Sequence, residues 1–270
     1  RQENIGGCTS CSWHLDGVGA GPVGFYAQLN GLEWHGATRQ LANARPESMK
    51  PTITKPATRP KMTIEEFQHK WERRIKYGYG RIGLAQNTTR RYLESRGITY
   101  ATIQAFGVST DTEGYGPYRN RECILFPYYN NDGQLYAVNR RISAKVRDDK
   151  CRFALGSQKR AAFFGVSGFS GLTWVIEGEI NAMSAWQALQ ALGRSDTVLS
   201  VSSETDIKAR SSEFKNKWGA NVIVWCDKQE IADVARGFGL TAWATRQDAN
   251  DLLENGKLAD CLEWMLNRQK

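Results

Sequence analysis

Residues 173–193 read TWVIEGEINAMSAWQALQALG. Residues 173–176 form an apolar, β-favouring run, and Glu177 closes it. Gly178 permits a sharp turn. Glu179 then opens a stretch with helical apolar spacing, where negative charge suits the helix N-terminus. A carboxylate so close to a buried strand, as Glu177 is, needs a cation or a hydrogen-bond partner. The same strand-then-acid pattern recurs downstream. NVIVWCDKQE (221–230) ends its apolar run on Asp227, and LTAWATR (240–246) is followed by DANDLL (248–253), which opens on Asp248. TVLSVSS (197–203), followed by DIKARSSEFKNKWG (206–219), adds a further strand and helix. Four strand–helix units in about a hundred residues predict an α/β domain with a mostly parallel four-stranded sheet. In such a sheet the strand C-termini converge on one edge, where ligands bind. Carboxylates gathered there repel one another, and a divalent cation relieves the repulsion. Mg²⁺ takes a few carboxylate oxygens plus waters and substrate phosphates. Asp227, Asp248 and Asp251 also suit simple helix starts.

The texture upstream differs. Residues 1–45 contain CTSCSWH (8–14), a Gly-rich stretch and a helix-like segment. Residues 46–62 carry four prolines and no apolar periodicity, as an extended linker does. From Thr63 a helix is predicted, with Thr63 and Glu66 spaced as a capping box and Gly78 as its stop. Two shorter helices follow in TTRRYLESRG and TYATIQAFG. RECILFPYY and QLYAVNRRI flank NNDG (130–133), a hairpin signature. Residues 63–165 thus read as a basic α+β region, and residues 166–270 as the α/β domain.

Charge follows that division. Residues 1–165 hold 25 Lys+Arg against 14 Asp+Glu, net +11, and residues 166–270 hold 11 against 14, net −3. A basic surface beside an acidic edge suits a polyanion held next to a metal site. No apolar run approaches the roughly 20 residues of a membrane span, and no signal peptide is visible. The chain begins at Arg1 rather than Met, as an excised region does. Six cysteines, only two of them closely spaced, do not make a disulfide scaffold, so a reducing, cytoplasmic setting is expected.

The strand–Glu–Gly element, the strand–Asp element and DANDLL together resemble a Toprim domain. This is the catalytic fold shared by DnaG-type primases, topoisomerases, OLD-type nucleases and RecR-type proteins. EGEINAMS and DANDLL are most similar to the primase branch, phage and plasmid primases included. Upstream, YLESRGITYATIQAFGV (92–108), YGPYRNRECILFPYYNNDGQLYAVNRRI (115–142) and KCRFALGSQKRAAFFG (150–165) resemble successive parts of the primase catalytic core. The resemblance covers about residues 88–255. It implies a metal site on Glu177, Asp227 and Asp248, with Glu177 and Asp227 catalytic. It also implies that Arg121, Arg141 and Lys150 contact template backbone or nucleotide phosphate, as do Arg119, Arg140, Lys159 and Arg160. CTSCSWH resembles the rear half of the zinc ribbon that precedes the primase core. Cys8 and Cys11 would then be two of four Zn²⁺ ligands, with the first pair upstream. One position departs from the pattern. Toprim domains carry Asp-x-Asp where this chain has Asp227-Lys228-Gln229, which removes a negative charge and adds a positive one.

The implied activity is templated synthesis of short RNA primers from nucleoside triphosphates on single-stranded DNA, with Mg²⁺ or Mn²⁺. A replicative helicase, in cis or in trans, would be the partner, and a bacterial or phage-infected cell the setting. A catalytically weakened Toprim module that only binds nucleic acid is the alternative. A nuclease or topoisomerase reading conflicts with the primase-like upstream region.

Overall fold

The computed structural model describes residues 6–8, 13–15, 62–112, 120–142, 151–169 and 171–268. In the first of two units, Arg1–Arg59, β1 (Gly6–Cys8) pairs antiparallel with β2 (Trp13–Leu15), Cys8 opposite Trp13. Cys11, the Cys8 side chain and most of the predicted linker lie outside the described residues, and with them the zinc-ribbon expectation. All other elements belong to the second unit, Pro60–Lys270.

Helix α1 (Ile64–Ile82) begins as its spacing predicts. The Thr63 hydroxyl accepts from the Glu66 N–H at 3.2 Å, and the Glu66 carboxyl accepts from the Thr63 N–H at 2.9 Å. The helix does not stop at Gly78. That glycine is buried inside the helix, where a Cβ would stand 1.9 Å from the Thr110 carbonyl oxygen. Its bare backbone lets the helix press against the neighbouring sheet, and Gly83 ends the helix instead. Phe67 and Trp71, one turn apart, bury against Cys123, Leu125, Leu135 and Val138. Two short helices follow, α2 (Thr88–Ser95) capped by Asn87 and α3 (Tyr100–Ala105) capped by Thr99.

The first sheet is antiparallel, in the order β3 (Ser109–Thr112), β4 (Glu122–Tyr129), β5 (Leu135–Ile142), β6 (Cys151–Phe153). The NNDG turn joins β4 to β5. Its Asn130 side-chain oxygen accepts from the N–H groups of Asp132 and Gln134, and Gly133 adopts φ 75°. Along β4, Cys123 and Leu125 face α1, whereas Ile124, Phe126 and Tyr128 enter a central core shared with the second sheet.

The second sheet has five strands, one more than predicted. Four are parallel: β11 (Thr241–Ala244), β10 (Val222–Cys226), β8 (Thr173–Glu177) and β9 (Thr197–Val201), in that spatial order. The fifth, β7 (Phe164–Val166), pairs antiparallel to β9 on the edge. Three residues are too few to show a strand period. Gly165 explains why the run pairs at all, because a Cβ there would stand 2.2 Å from the Val198 carbonyl oxygen.

Helices cover both faces of this sheet. Trp174, Ile176, Ile223 and Trp225 pack on α4 (Glu179–Ala191), α7 (Ala249–Glu254) and α8 (Leu258–Asn267). Val175, Val222, Val224 and Cys226 pack on α5 (Glu204–Trp218) and α6 (Gln229–Gly237). Each strand alternates between the two cores, so its last residue is fixed in position by burial on either side.

Candidate active site

The register of the parallel sheet decides where the acids fall. Glu177 stands opposite Val201, and Ile176 opposite Trp225. Glu177, Glu204 and Asp227 therefore emerge at or just beyond the C-terminal ends of three adjacent strands. Asp248 lies four residues past the end of the fourth. Asp248 caps α7, its side chain accepting from the Asp251 N–H at 2.7 Å. The capping role and a place at this edge are both realised.

Electrostatics confirm the crowding. Burial pushes the Glu177 carboxyl up to about 7, and the charges of Asp227 and Glu204 add to the rise. The Glu204 backbone N–H opposes it by donating to this carboxyl, but Glu177 Oε2 is buried with no hydrogen-bond partner among the described residues. Asp227 is exposed as a residue, yet its carboxyl is also raised. Desolvation contributes most, followed by the charges of Asp248, Glu204 and Asp251. Lys228 partly offsets the repulsion, and its ammonium pairs with Glu204 at 3.0 Å. Gln229 turns along its own helix and donates to Asp233 at 2.8 Å. Among the described residues no three Asp, Glu, His or Cys side chains stand close enough to enclose a metal ion by themselves. The donors suited to a hard cation are nonetheless present: carboxylates from separate strand ends, one with an orphaned buried oxygen.

Two clips hold this edge. The Asn181 amide donates to the Glu177 carbonyl at 3.1 Å, and its oxygen accepts from the Asn250 N–H at 3.2 Å. Asn250, fully buried, donates to the Arg96 carbonyl and the Ser184 hydroxyl and accepts from the Arg96 guanidinium. Helix α7 is thereby tied to the end of β8. On the other side, buried Glu179 accepts from the Tyr128 hydroxyl at 2.5 Å and from Asn139 at 2.7 Å, joining α4 to the antiparallel sheet. Glu179 is thus an inter-sheet strut in addition to a helix-start charge.

The basic candidates are dispersed. Arg119 and Lys150 lie outside the described residues. Arg121 is exposed at the foot of β4, and Arg160 is exposed in a short 3₁₀ turn. Neighbours on β5, Arg140 and Arg141 point to opposite faces. Arg140 approaches the Trp71 ring, whereas Arg141 donates to the Tyr92 hydroxyl at 3.1 Å. Lys159 forms an ion pair with Asp206 at 2.8 Å and bonds to Ser202, which places it beside the start of α5. Sequence reading missed Glu204, although VSSETD repeats the strand-then-acid signal. It also missed the Asn181–Asn250 clip, which no local pattern marks.

No protein-family model matches the sequence, and no curated protein matches it. Solved structures do resemble it. The Aquifex aeolicus primase, with zinc-binding and RNA polymerase domains, gives a TM-score of 0.56 at 12% identity over 91% of this chain and 69% of that one. A DnaG primase catalytic domain bound to single-stranded DNA gives 0.55 at 14% identity over 76% and 82%. The E. coli primase catalytic core gives 0.51 at 13% identity over 76% and 80%. The chain carries the fold of the DnaG-type primase catalytic core.

Proposed function

We propose that this protein is a primase of the DnaG type, its five-stranded sheet a Toprim domain, which joins nucleoside triphosphates into short RNA primers on single-stranded DNA. One observation carries the reading. Acids from separate strand ends crowd one edge, and Glu177 keeps a buried oxygen without a partner. Glu177 and Asp227, with Asp248 beside them, would hold Mg²⁺ or Mn²⁺. The bound cation supplies positive charge against which nucleotide phosphates and the charge developing at the α-phosphate are held. The protein's own groups do the rest. Asn181 and Asn250 fix the spacing between Glu177 and α7. Lys228 lowers the repulsion that would otherwise splay the acids. Arg121 and Arg141 would neutralise template or nucleotide phosphates without reading sequence. A helicase partner and a zinc ribbon upstream belong to this reading.

The test is primer synthesis on single-stranded DNA with Mg²⁺ or Mn²⁺. Glu177→Gln keeps the shape and removes the charge, and is expected to lower synthesis about a hundredfold or more. Synthesis at the wild-type rate by that variant would overturn the assignment.

A further inference from the structure

A cavity of about 290 Å³ opens at the start of β9, the end away from the acidic edge. Its walls come from the β4–β5 turn, β7, the start of β9 and the end of α5. Thr197, the first residue of β9, lines it, whereas Glu177 stands opposite Val201, the last. Four residues of extended strand, about 13 Å, separate the two places along the sheet. Gly165 forms part of the floor, where only a bare backbone fits against β9.

The lining combines three kinds of group. Tyr129, Phe163 and Trp218 supply aromatic surface, with Phe163 and Trp218 in edge contact at 5.6 Å. Lys217 holds its ammonium 4.6 Å from the Trp218 ring and 5.4 Å from the Phe163 ring, and donates to the Asn131 side-chain oxygen. It forms no ion pair among the described residues; desolvation against the aromatic rings lowers its pKa, with the Glu213 charge opposing and the Arg210 charge adding to the shift. Asn131, Thr197 and the backbone of the turn add polar edges.

We infer that this cavity binds a single nucleotide, base against the Trp218–Tyr129 wall and phosphate on Lys217. Base stacking on aromatic side chains and phosphate contact with lysine are the two terms that hold a nucleotide without reading its sequence. Cation–aromatic packing fixes the ammonium in place beforehand. The volume suits one nucleotide unit, whether free or part of a strand. The site stands on its own lining and does not depend on the acidic edge acting as a catalyst.

The test is titration of the full chain, followed by the Trp218 indole N–H and the Gly165 amide in nitrogen-resolved NMR spectra. EDTA is included so that metal-linked binding at the acidic edge is silent. The probes are adenosine monophosphate, a six-nucleotide single-stranded oligodeoxyadenylate and inorganic phosphate. Saturating shifts at both reporters are expected with the first, the second or both. Monophosphate binding assigns the site to free nucleotides, and oligonucleotide binding alone assigns it to a strand. Lys217→Met, on an exposed side chain, is expected to weaken binding about tenfold. Tyr129→Leu gives a second reading that leaves the charge intact. Silence at Trp218 with both organic probes overturns the inference. So does equal response to inorganic phosphate, or undiminished affinity in Lys217→Met.

Discussion

Glu177 carries a proton in the folded chain at a pH where an ordinary glutamate has lost it. Its pKa rises to about 7 from an ordinary 4.5, so the folded state binds the extra proton between those values. Stability attributable to this group therefore falls as pH rises through that window, and is fully lost above about pH 7. In EDTA, Glu177→Gln is expected to raise the melting temperature at pH 8 and to flatten the decline between pH 5 and 8. The gain is on the order of 2 kcal/mol after discounting for solvent around a half-buried carboxyl. Melting followed by circular dichroism decides it, and a variant that tracks the wild type at every pH contradicts the assignment. Glu177 and Asp227 could be read from sequence because each closes an apolar run, where an unpaired charge is costly. Glu204 was hidden by its company. The serines and Asp206 beside it look like ordinary helix-start residues, and Ser203 does cap α5.

At the level of elements, α1 shows how a local rule yields to packing. Glycine favours helix ends, yet Gly78 sits mid-helix because the Thr110 carbonyl occupies the space a side chain would need. Gly78→Ala improves helix propensity by roughly 1 kcal/mol. It also forces α1 away from β3, and overpacking of this kind costs about 1–3 kcal/mol. Net destabilisation is expected in urea unfolding, where an unchanged or higher midpoint would show that the helix docks more loosely. The start of α1 was legible from Thr63 and Glu66; the caps of the two short helices, Asn87 and Thr99, became visible only in the structure. Strand β7 was not legible either. Its pairing is set by Gly165 against Val198, a contact between segments thirty-odd positions apart that no window of sequence reveals.

Along the whole chain, the sign of the charge changes close to where the second sheet begins, at β7. Under the proposed function, the net +11 of residues 1–165 and the net −3 of residues 166–270 would make single-stranded DNA binding an electrostatic matter. Affinity for single-stranded DNA is expected to fall linearly on a double-logarithmic plot against salt, with a slope of about −2 to −3 for three or four neutralised phosphates. Fluorescence anisotropy across a salt series measures it, and a flat plot would remove the basic region from the interface. The α/β class and the parallel strands were legible because buried runs alternate with helices. The sharing of one core between the two sheets was not, since Tyr128 and Glu179, which meet across it, lie fifty-one positions apart.

Asn250 sits one residue beyond Ala249 and two beyond Asp248, where an aspartate would look like one more donor for a cation. Its amide nitrogen already reaches the Arg96 carbonyl and the Ser184 hydroxyl. A carboxylate at this spot would face that carbonyl oxygen with lone pairs on both sides. The position therefore works as a rivet and is closed to charge, while Arg96, just past the end of α2, makes its ionic contacts with Asp251 and Glu254 instead.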